Sequence, residues 1–393
     1  MSCLCKTELH RRDTQNTEKM ESFTDCMKDC QWRMCATLEE KLLILGIETS
    51  CDETAAAVVK DGRYICSNVI ASQVKIHAQY GGIVPEIASR KHIEVINQVV
   101  ESAINDAKIT LNDIGSIAVT YGPGLAGALL AGISFAKSLA YGKKLPLIPI
   151  NHLEAHIYAV YLEYSQINLP AIALLVSGGH TEMVLVKELG VYETLGRTKD
   201  DAVGEAYDKV AKWLGLGYPG GPIIDQLAKS GNRKAIRFPR AVVKQGKYDF
   251  SYSGLKTAVI NYTKNTEQQL SLPDVLLQIG EGGLSINDIV ASFQEAAIDA
   301  LTSKVMNAVK DTAAVSIIIG GGVAANSRLR EQLNERTDGK GIILYIPSPV
   351  LCTDNAAMVA GLGFHKYNTD KIANLSLDVK PNLKWDEEFI VKL

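Results

Sequence analysis

The chain has 393 residues, of which 47% are hydrophobic and 22% charged, so it is long enough for two core-forming units of ordinary size. A net charge of −3 excludes a protein that coats itself evenly in nucleic acid or anionic membrane, so any such partner must meet a local patch. No apolar run reaches the roughly 18 residues of a membrane span, and no secretory signal pattern is present, which predicts a cytoplasmic protein with no membrane partner.

The first 38 residues lack apolar periodicity and are rich in cysteine. Five of the eight cysteines lie there: Cys3, Cys5, Cys26, Cys30 and Cys35. Their spacings do not pair as C-x-x-C units, which disfavours a zinc-binding tail. We expect residues 1–38 to be a disordered or non-native N-terminal extension, with the folded part beginning near Lys41.

Two segments share the plan of a buried strand, a short polar turn and a returning apolar strand. The first is "KLLILGIETSCDETAAAVV", and the second, roughly 125 residues later, is "AIALLVSGGHTEMVLV". Such self-similarity predicts a duplicated α/β domain with two lobes around a cleft. Glycines and hydroxyls at facing turns suit a phosphate, because backbone N–H groups can approach it closely. Two unrelated hairpins are the alternative.

A glycine-rich turn, "YGPGLAG", leads into a helix of small residues after Gly122. A turn of this kind before a helix N-terminus is typical of an anion site. Close helix packing explains the small residues equally well, so the pattern leaves both interpretations open.

The motif "NHLEAH" places His152 and His156 four residues apart, which on a helix puts both imidazoles on one face and lets them share a metal ion. Glu154 is two steps from each histidine and points to the other face. In the zinc-protease pattern the glutamate directly follows the first histidine, so a protease is disfavoured. Two unrelated histidines on a half-buried helix are the alternative.

Residues 229–247 contain seven lysines and arginines and no acidic residue, and three aromatic residues follow: Tyr248, Phe250 and Tyr252. Such a basic strip with aromatic neighbours is typical of a surface that meets an RNA backbone and stacks on bases. A solvated charged surface is the alternative. Residues 90–92, "RKH", form a second basic cluster. Residues 264–290, which contain proline and glycine breaks, are expected to be a variable insertion.

The apolar strand Ser316 to Ile319 ends in three glycines, and Asn326 precedes an amphipathic helix. The spacing lacks the dinucleotide-binding pattern of G-x-G-x-x-G followed by an acidic residue. Backbone at this turn can approach a ring or sugar without side-chain obstruction, which favours an adenosine site.

In this order the motifs resemble those of the TsaD (Gcp) family of tRNA threonylcarbamoyladenosine synthesis, within the actin-like ATPase and sugar kinase superfamily. The likeness covers about residues 41–390 and includes "GIETSCDET", "GGIVPEIASRKH", "NHLEAH", "LLVSGGHTE", "FSYSGLKTA", "GGGVAANSRLR" and "CTDNAAM". It implies a duplicated actin-like ATPase/sugar kinase fold of α/β class. Lobe I would span residues 39–148, completed by 355–393, and lobe II would span 149–354. A bacterial member is indicated.

The resemblance implies an enzyme, a tRNA N6-adenosine threonylcarbamoyltransferase. Its reaction would move the threonylcarbamoyl group of threonylcarbamoyl-AMP to N6 of the adenosine 3'-adjacent to the anticodon, in tRNAs reading codons that start with A. Implied partners besides tRNA are a TsaB-like paralogue and a TsaE-like ATPase. The paralogue would pair through residues 95–103 and the helix after Gly127. Because the resemblance implies a tRNA substrate, residues 229–247 are expected to contact tRNA.

The resemblance also implies functional positions. The implied metal ligands are His152, His156 and Asp354, with Fe²⁺ favoured over Zn²⁺. The implied substrate contacts are Ser177, Gly178, Gly179, His180, Thr181, Asp208, Gly221, Asp225 and Asn326. A general base would help the weakly nucleophilic adenine N6 to lose its proton, and the candidates from the residues are Glu48, Asp52, Glu205 and His180.

Three other functions compete with this one. An ATP-dependent small-molecule kinase on the same fold would use a carboxylate base and Mg²⁺ and has no need of two histidines. A metalloprotease conflicts with the position of Glu154. A non-enzymatic scaffold would not bind the adenylate.

Overall fold

The computed structural model describes residues 42–240, 246–267, 284–385 and 387. The predicted extension at residues 1–38 lies outside the described residues, as does most of the predicted insertion at 264–290. Within the described part of the chain, no helix is long and apolar enough to cross a membrane.

Ten strands of the described chain form two five-stranded sheets. The first sheet contains β1 (Leu43–Glu48), β2 (Glu53–Lys60), β3 (Tyr64–Ser72), β4 (Ser116–Gly122) and β5 (Leu147–Asn151). The second contains β6 (Ala171–Val176), β7 (Thr181–Glu188), β8 (Val191–Arg197), β9 (Ser316–Gly320) and β10 (Ile343–Tyr345). Their orders are β3-β2-β1-β4-β5 and β8-β7-β6-β9-β10, which are equivalent.

The pairing directions of the two sheets are also equivalent. β1 pairs with β2 antiparallel and with β4 parallel, and β6 pairs with β7 antiparallel and with β9 parallel. In both sheets the turn after the first strand is four residues long, at residues 49–52 and 177–180. We call these the first-lobe turn and the second-lobe turn. The predicted duplication is confirmed; the lobe boundaries at residues 148 and 354 stay predictions.

The helices lie between and after the strands. They are α1 (Val74–His77), α2 (Pro85–Asp106), α3 (Ala126–Lys143), α4 (His152–Glu163), α5 (Val203–Trp213), α6 (Gly220–Ala228), α7 (Ser253–Glu267), α8 (Ile286–Thr312), α9 (Ser327–Thr337), α10 (Pro349–Cys352) and α11 (Ala356–Tyr367). Short 3₁₀ helices cover Ala78–Tyr80 and Gly322–Ala325.

Helix α4 carries the "NHLEAH" motif and is buried on almost all sides, since ten of its twelve residues are buried. It starts directly after β5, where the Asn151 side chain accepts hydrogen bonds from Leu153 N (2.9 Å) and Glu154 N (3.4 Å) and so caps the helix. Tyr158 packs in a core cluster with residues of the first sheet and α11, and Ile157 packs in a cluster with the second sheet. The helix is therefore buried between the two sheets, and the half-buried helix of the alternative interpretation is wrong.

The glycine-rich turn before α3 lets that helix approach the first-lobe turn. A Cβ on Gly124 would lie 2.5 Å from the Ser50 carbonyl oxygen, and one on Gly132 would overlap the Thr49 hydroxyl. The N–H of Leu125 donates to Ser50 O at 2.8 Å, so this N–H already has a protein partner. Of the two interpretations left open, these contacts favour close packing.

Candidate metal centre and substrate cleft

Two histidines of α4 and one aspartate converge at a single point. His152, His156 and Asp354 each offer a ligand atom within 4.8 Å of the others. Asp354 Oδ1 lies 3.1 Å from His156 Nε2 and 3.6 Å from His152 Nε2. Asn355 starts α11 by accepting a hydrogen bond from Met358 N at 3.0 Å, which fixes the backbone beside Asp354.

Glu48, the last residue of β1, lies next to this cluster and is fully buried. Its carboxylate accepts hydrogen bonds from Ser50 N and from Thr120 Oγ1, both at 2.6 Å. His152 Nδ1 lies 3.1 Å from Oε2 of the same carboxylate. Since its oxygens are occupied by internal partners, this geometry disfavours Glu48 as the general base.

The electrostatics of the cluster suit a cation. Burial works against a charged His152, but the carboxylates of Asp354 and Glu48 overcome it and raise the pKa of His152 to about 9. Burial likewise opposes ionisation of Asp354, yet His152 and His156 hold the pKa of Asp354 well below its usual range. Burial lowers the pKa of His156. The buried carboxylate of Glu48 and the partly exposed carboxylate of Asp354 thus share the charged imidazole of His152 as their counter-charge.

The residues present fit a divalent metal. The Nε2 atoms of His152 and His156 both face Asp354 Oδ1, at 3.6 and 3.1 Å, so two imidazole nitrogens and one carboxylate oxygen converge at one place. Two imidazoles and one carboxylate are donors that suit Fe²⁺ and Zn²⁺ alike. The donor set alone leaves the choice between these metals open.

The second-lobe turn is open to solvent. Ser177 Oγ accepts a hydrogen bond from His180 N at 3.1 Å, and Gly178 and Gly179 are exposed, with no atom of the described residues within 4 Å of a Cβ placed on either. Thr181 is fully buried, and its hydroxyl accepts a hydrogen bond from Val203 N at 2.8 Å. Thr181 therefore stabilises the start of α5, which disfavours a side-chain contact with substrate.

The other candidates for the general base differ in their surroundings. Glu205 receives a hydrogen bond from Ala202 N at 3.3 Å and pairs with Lys209 at 2.8 Å, which identifies it as a helix cap. Burial, reinforced by His152 and His156, lowers the pKa of His180 to about 4, so this imidazole is neutral at pH 7. Asp52 is 7% exposed in the first-lobe turn. Asp52 and His180 remain candidates.

Asp208 and Gly221 lie where α5 meets α6. Asp208 Oδ1 accepts a hydrogen bond from Gly220 N at 2.7 Å. Burial raises the pKa of Asp208 to about 6, opposed by that hydrogen bond and reinforced by the charge of Asp52 in the first-lobe turn. Gly221 has open space around the position of a Cβ, as expected for a backbone that a ligand approaches.

Asp225 and Asn326 are joined by a residue that sequence reasoning missed. Gln294, on α8 and 4% exposed, donates from Nε2 to Asp225 Oδ1 (3.1 Å) and accepts from Asn326 Nδ2 (2.9 Å). Asn326 Oδ1 also caps α9 by accepting from Leu329 N at 3.0 Å. The only sequence signal was an uncharged polar residue within an apolar stretch of a long helix.

The predicted aromatic edge of the basic strip is wrong. Phe250 and Tyr252 are each 1% exposed and belong to the core of the second lobe, and Tyr248 donates its hydroxyl proton to Asp311. The bases that were expected to stack on these rings cannot reach Phe250 or Tyr252.

Much of the strip's charge is also neutralised. Three of its described cations form ion pairs: Arg233 with Glu331 (3.0 Å), Arg240 with Asp299 (3.2 Å) and Lys247 with Asp311 (2.6 Å). Lys244 lies outside the described residues. The cluster at residues 90–92 is not one surface either, because His92 is fully buried, with Nδ1 2.7 Å from the Thr54 hydroxyl.

Glu154 faces away from the histidines, as predicted. Its carboxylate pairs with Lys366 Nζ at 2.6 Å and accepts a hydrogen bond from the Tyr192 hydroxyl at 3.1 Å. A metalloprotease needs its glutamate beside the metal, so the structure disfavours that alternative.

Comparison with known proteins assigns the chain to a family. Residues 64–361 match the sequence model described as TsaD, tRNA N6-adenosine threonylcarbamoyltransferase. A protein of that name from Clostridioides difficile (strain 630) is 49% identical over 343 residues, covering 87% of this chain and 98% of the relative. Another, from Geotalea uraniireducens (strain Rf4), is 51% identical over 340 residues, covering 86% and 96%.

Among solved structures, T. kodakarensis HypF superimposes with a TM-score of 0.51 at 15% identity, covering 86% of this chain and 49% of that one. This likeness concerns the fold, and with the two equivalent sheets it agrees with the duplicated α/β fold of actin-like ATPases and sugar kinases. The chain belongs to the TsaD family of tRNA N6-adenosine threonylcarbamoyltransferases.

Proposed function

We propose that this protein transfers the threonylcarbamoyl group of threonylcarbamoyl-AMP to N6 of the adenosine 3'-adjacent to the anticodon, in tRNAs that read codons starting with A. Family membership supports the reaction class. The structural observation that carries the proposal is the convergence of His152, His156 and Asp354 next to His180 of the open second-lobe turn.

The reaction exchanges one bond for another at the carbamoyl carbon. N6 of adenine bonds to that carbon, the bond from carbon to the phosphate oxygen breaks, AMP leaves with the electron pair, and N6 loses a proton. AMP is a good leaving group, so the protein chiefly has to orient the reactants and stabilise developing negative charge.

The residues of the cleft suit these tasks. Backbone N–H groups at Gly178 and Gly179 have the open space that a phosphate needs. Asp208 and Asp225 are suited to accept hydrogen bonds from ribose or threonyl hydroxyls. Asp52 or His180 would take the proton from N6.

His152, His156 and Asp354 would hold one divalent ion, for which we propose Fe²⁺ rather than Zn²⁺. When bound, such an ion supplies Lewis-acid stabilisation of negative charge on the donor. The carboxylate oxygen of Asp354 that faces the Nε2 atoms of both imidazoles supports this assignment.

We further propose that a TsaB-like paralogue and a TsaE-like ATPase act with this chain. Helices α2 and α3 expose large apolar side chains, with Ile93 69%, Leu130 51% and Tyr141 74% exposed. An apolar surface on two adjacent helices suits a protein partner, which supports docking of the paralogue there.

The test is product formation by the purified chain with its paralogue and ATPase partners, measured by mass spectrometry of tRNA nucleosides. His156→Ala should abolish most threonylcarbamoyladenosine, whereas His365→Ala, which changes a half-buried histidine outside the cluster, should leave it unchanged. If wild type makes no product from synthetic threonylcarbamoyl-AMP while a known enzyme does, the proposal fails and the kinase alternative becomes preferred.

A further inference from the structure

We infer that Glu48 is a positioning residue for the metal centre: its carboxylate holds His152 in the tautomer that leaves Nε2 free to bind the ion. The inference rests on the proposed metal role of His152, His156 and Asp354. Glu48 ends β1 in the first sheet, whereas His152 starts α4, so the contact joins two elements at the edge of the centre.

The donor and acceptor rules fix the proton on His152. A carboxylate only accepts hydrogen bonds, so the ring nitrogen that faces Glu48 Oε2 at 3.1 Å has to carry the hydrogen. That nitrogen is Nδ1, so the proton that a binding ion displaces from His152 is the one on the other ring nitrogen, Nε2, which lies 3.6 Å from Asp354 Oδ1. This is the arrangement that a metal-binding imidazole requires.

The Ser50 hydroxyl lies 3.2 Å from the same Nδ1. A hydroxyl can donate or accept, so by itself Ser50 would permit either tautomer. Glu48 removes that freedom, because it cannot donate. Ser50 N in turn donates to Glu48 at 2.6 Å, and Thr120 Oγ1 donates at 2.6 Å, which together hold the carboxylate in place.

The two histidines differ in this support. His156 Nδ1 has no partner among the described residues, whereas His152 Nδ1 has Glu48 and Ser50. Loss of Glu48 therefore acts on a single ligand and should weaken metal binding without abolishing it. Removal of an outer partner of a metal-binding histidine typically costs about 10- to 100-fold in metal affinity.

Glu154 provides a matched control. It is a buried carboxylate on the helix of His152, 5% exposed, and it contacts Lys366 and Tyr192 on the other side of α4. Glu154→Gln should lower the stability of the protein, as Glu48→Gln does, but it leaves the surroundings of both histidines unchanged.

The experiment is a titration of the metal-free full-length protein with Co²⁺, followed by visible absorption, with thermal unfolding recorded for each variant. Glu48→Gln should bind Co²⁺ about 10- to 100-fold more weakly than wild type. The glutamate carboxylate has two acceptor oxygens for its hydrogen-bond donors, whereas the glutamine amide has only one. Glu154→Gln should bind Co²⁺ as wild type does, and His156→Ala should lose binding.

The outcomes separate this inference from the proposed function. If wild type does not bind Co²⁺, the proposed metal centre fails, and this inference with it. If His156→Ala loses binding but Glu48→Gln retains wild-type affinity, the centre stands and the inference is overturned. Should Glu48→Gln not fold, Glu48→Asp keeps the charge but shortens the side chain by one methylene; it should bind more weakly than wild type, and equal affinity would overturn the inference.

Discussion

The first-lobe turn and the second-lobe turn occupy equivalent places in a duplicated fold but have opposite surroundings. In the first-lobe turn, Thr49 is fully buried and Ser50 is 2% exposed. In the second-lobe turn, Gly178 and Gly179 are exposed. Equivalent backbone positions thus serve different purposes: one turn supports the histidines from inside the protein, and the other presents its backbone to the cleft.

The neighbouring helix explains the difference. Helix α3 packs on the first-lobe turn through Gly132, and the turn before α3 packs on it through Gly124; an added Cβ at these positions would overlap Thr49 and Ser50. In the part of the chain that the structure describes, no atom lies within 4 Å of a Cβ on Gly178 or Gly179. Duplication therefore supplies two similar turns, and packing decides which one can bind a ligand.

Gly124→Ala is expected to have the largest effect of the variants that test the difference in packing between the two turns. The new methyl group would meet the Ser50 backbone at 2.5 Å, so the turn or α3 must shift, at a cost of about 1–3 kcal/mol in the free energy of unfolding. Urea unfolding of the metal-free protein measures this change in the free energy of unfolding. Gly179→Ala is the control and should stay within about 0.5 kcal/mol of wild type. Equal losses for both variants would show that the two turns are packed alike.

Gly179→Ala should instead affect the substrate. A methyl group on an open backbone keeps a phosphate from approaching the N–H groups, and loss of one such hydrogen bond is worth roughly tenfold in affinity. We expect KM for threonylcarbamoyl-AMP to rise by about that factor, measured by initial rates of tRNA modification. Gly142→Ala, at an open glycine on α3, should leave KM unchanged. An unchanged KM for Gly179→Ala would exclude the second-lobe turn as the phosphate site.

Local patterns predicted the parts of the structure that depend on neighbours in sequence. The strand, turn and strand plan predicted the equivalent pairs β1–β2 and β6–β7, because alternation and glycine turns are local signals. The spacing of "NHLEAH" predicted that His152 and His156 share a face and that Glu154 does not, because helical geometry alone fixes those directions.

Contacts between distant segments were beyond such patterns. Glu48 and His152 are 104 residues apart, and no periodicity connects a strand end to a helix start. The contacts of Gln294 with Asp225 and Asn326 also join separate segments, so no local pattern predicted them. The basic strip was misjudged because its acidic partners lie on α8 and α9, far along the chain.

Asp208, on α5, interacts electrostatically with the first-lobe turn and gives the smallest expected effect. Its pKa is raised to about 6, from a usual value of 3.8, by burial and by the charge of Asp52 in that turn. A carboxyl group whose pKa is raised on folding binds its proton more tightly in the folded state. It therefore contributes stability below pH 3.8 that is lost as the pH rises through about 6. Wild type should lose stability relative to Asp208→Asn across that range.

Asp52→Asn sharpens the same measurement. Removing the negative charge of Asp52 lowers the pKa of Asp208 toward its usual range. Asp52→Asn should therefore lose stability relative to the Asp52→Asn/Asp208→Asn double variant at a lower pH than wild type loses stability relative to Asp208→Asn. Asp113→Asn, which changes an exposed carboxylate in the loop before β4, should not change the pH at which this stability is lost. An unmoved transition in Asp52→Asn would show that the charge of Asp52 does not raise the pKa of Asp208, and that burial outweighs it.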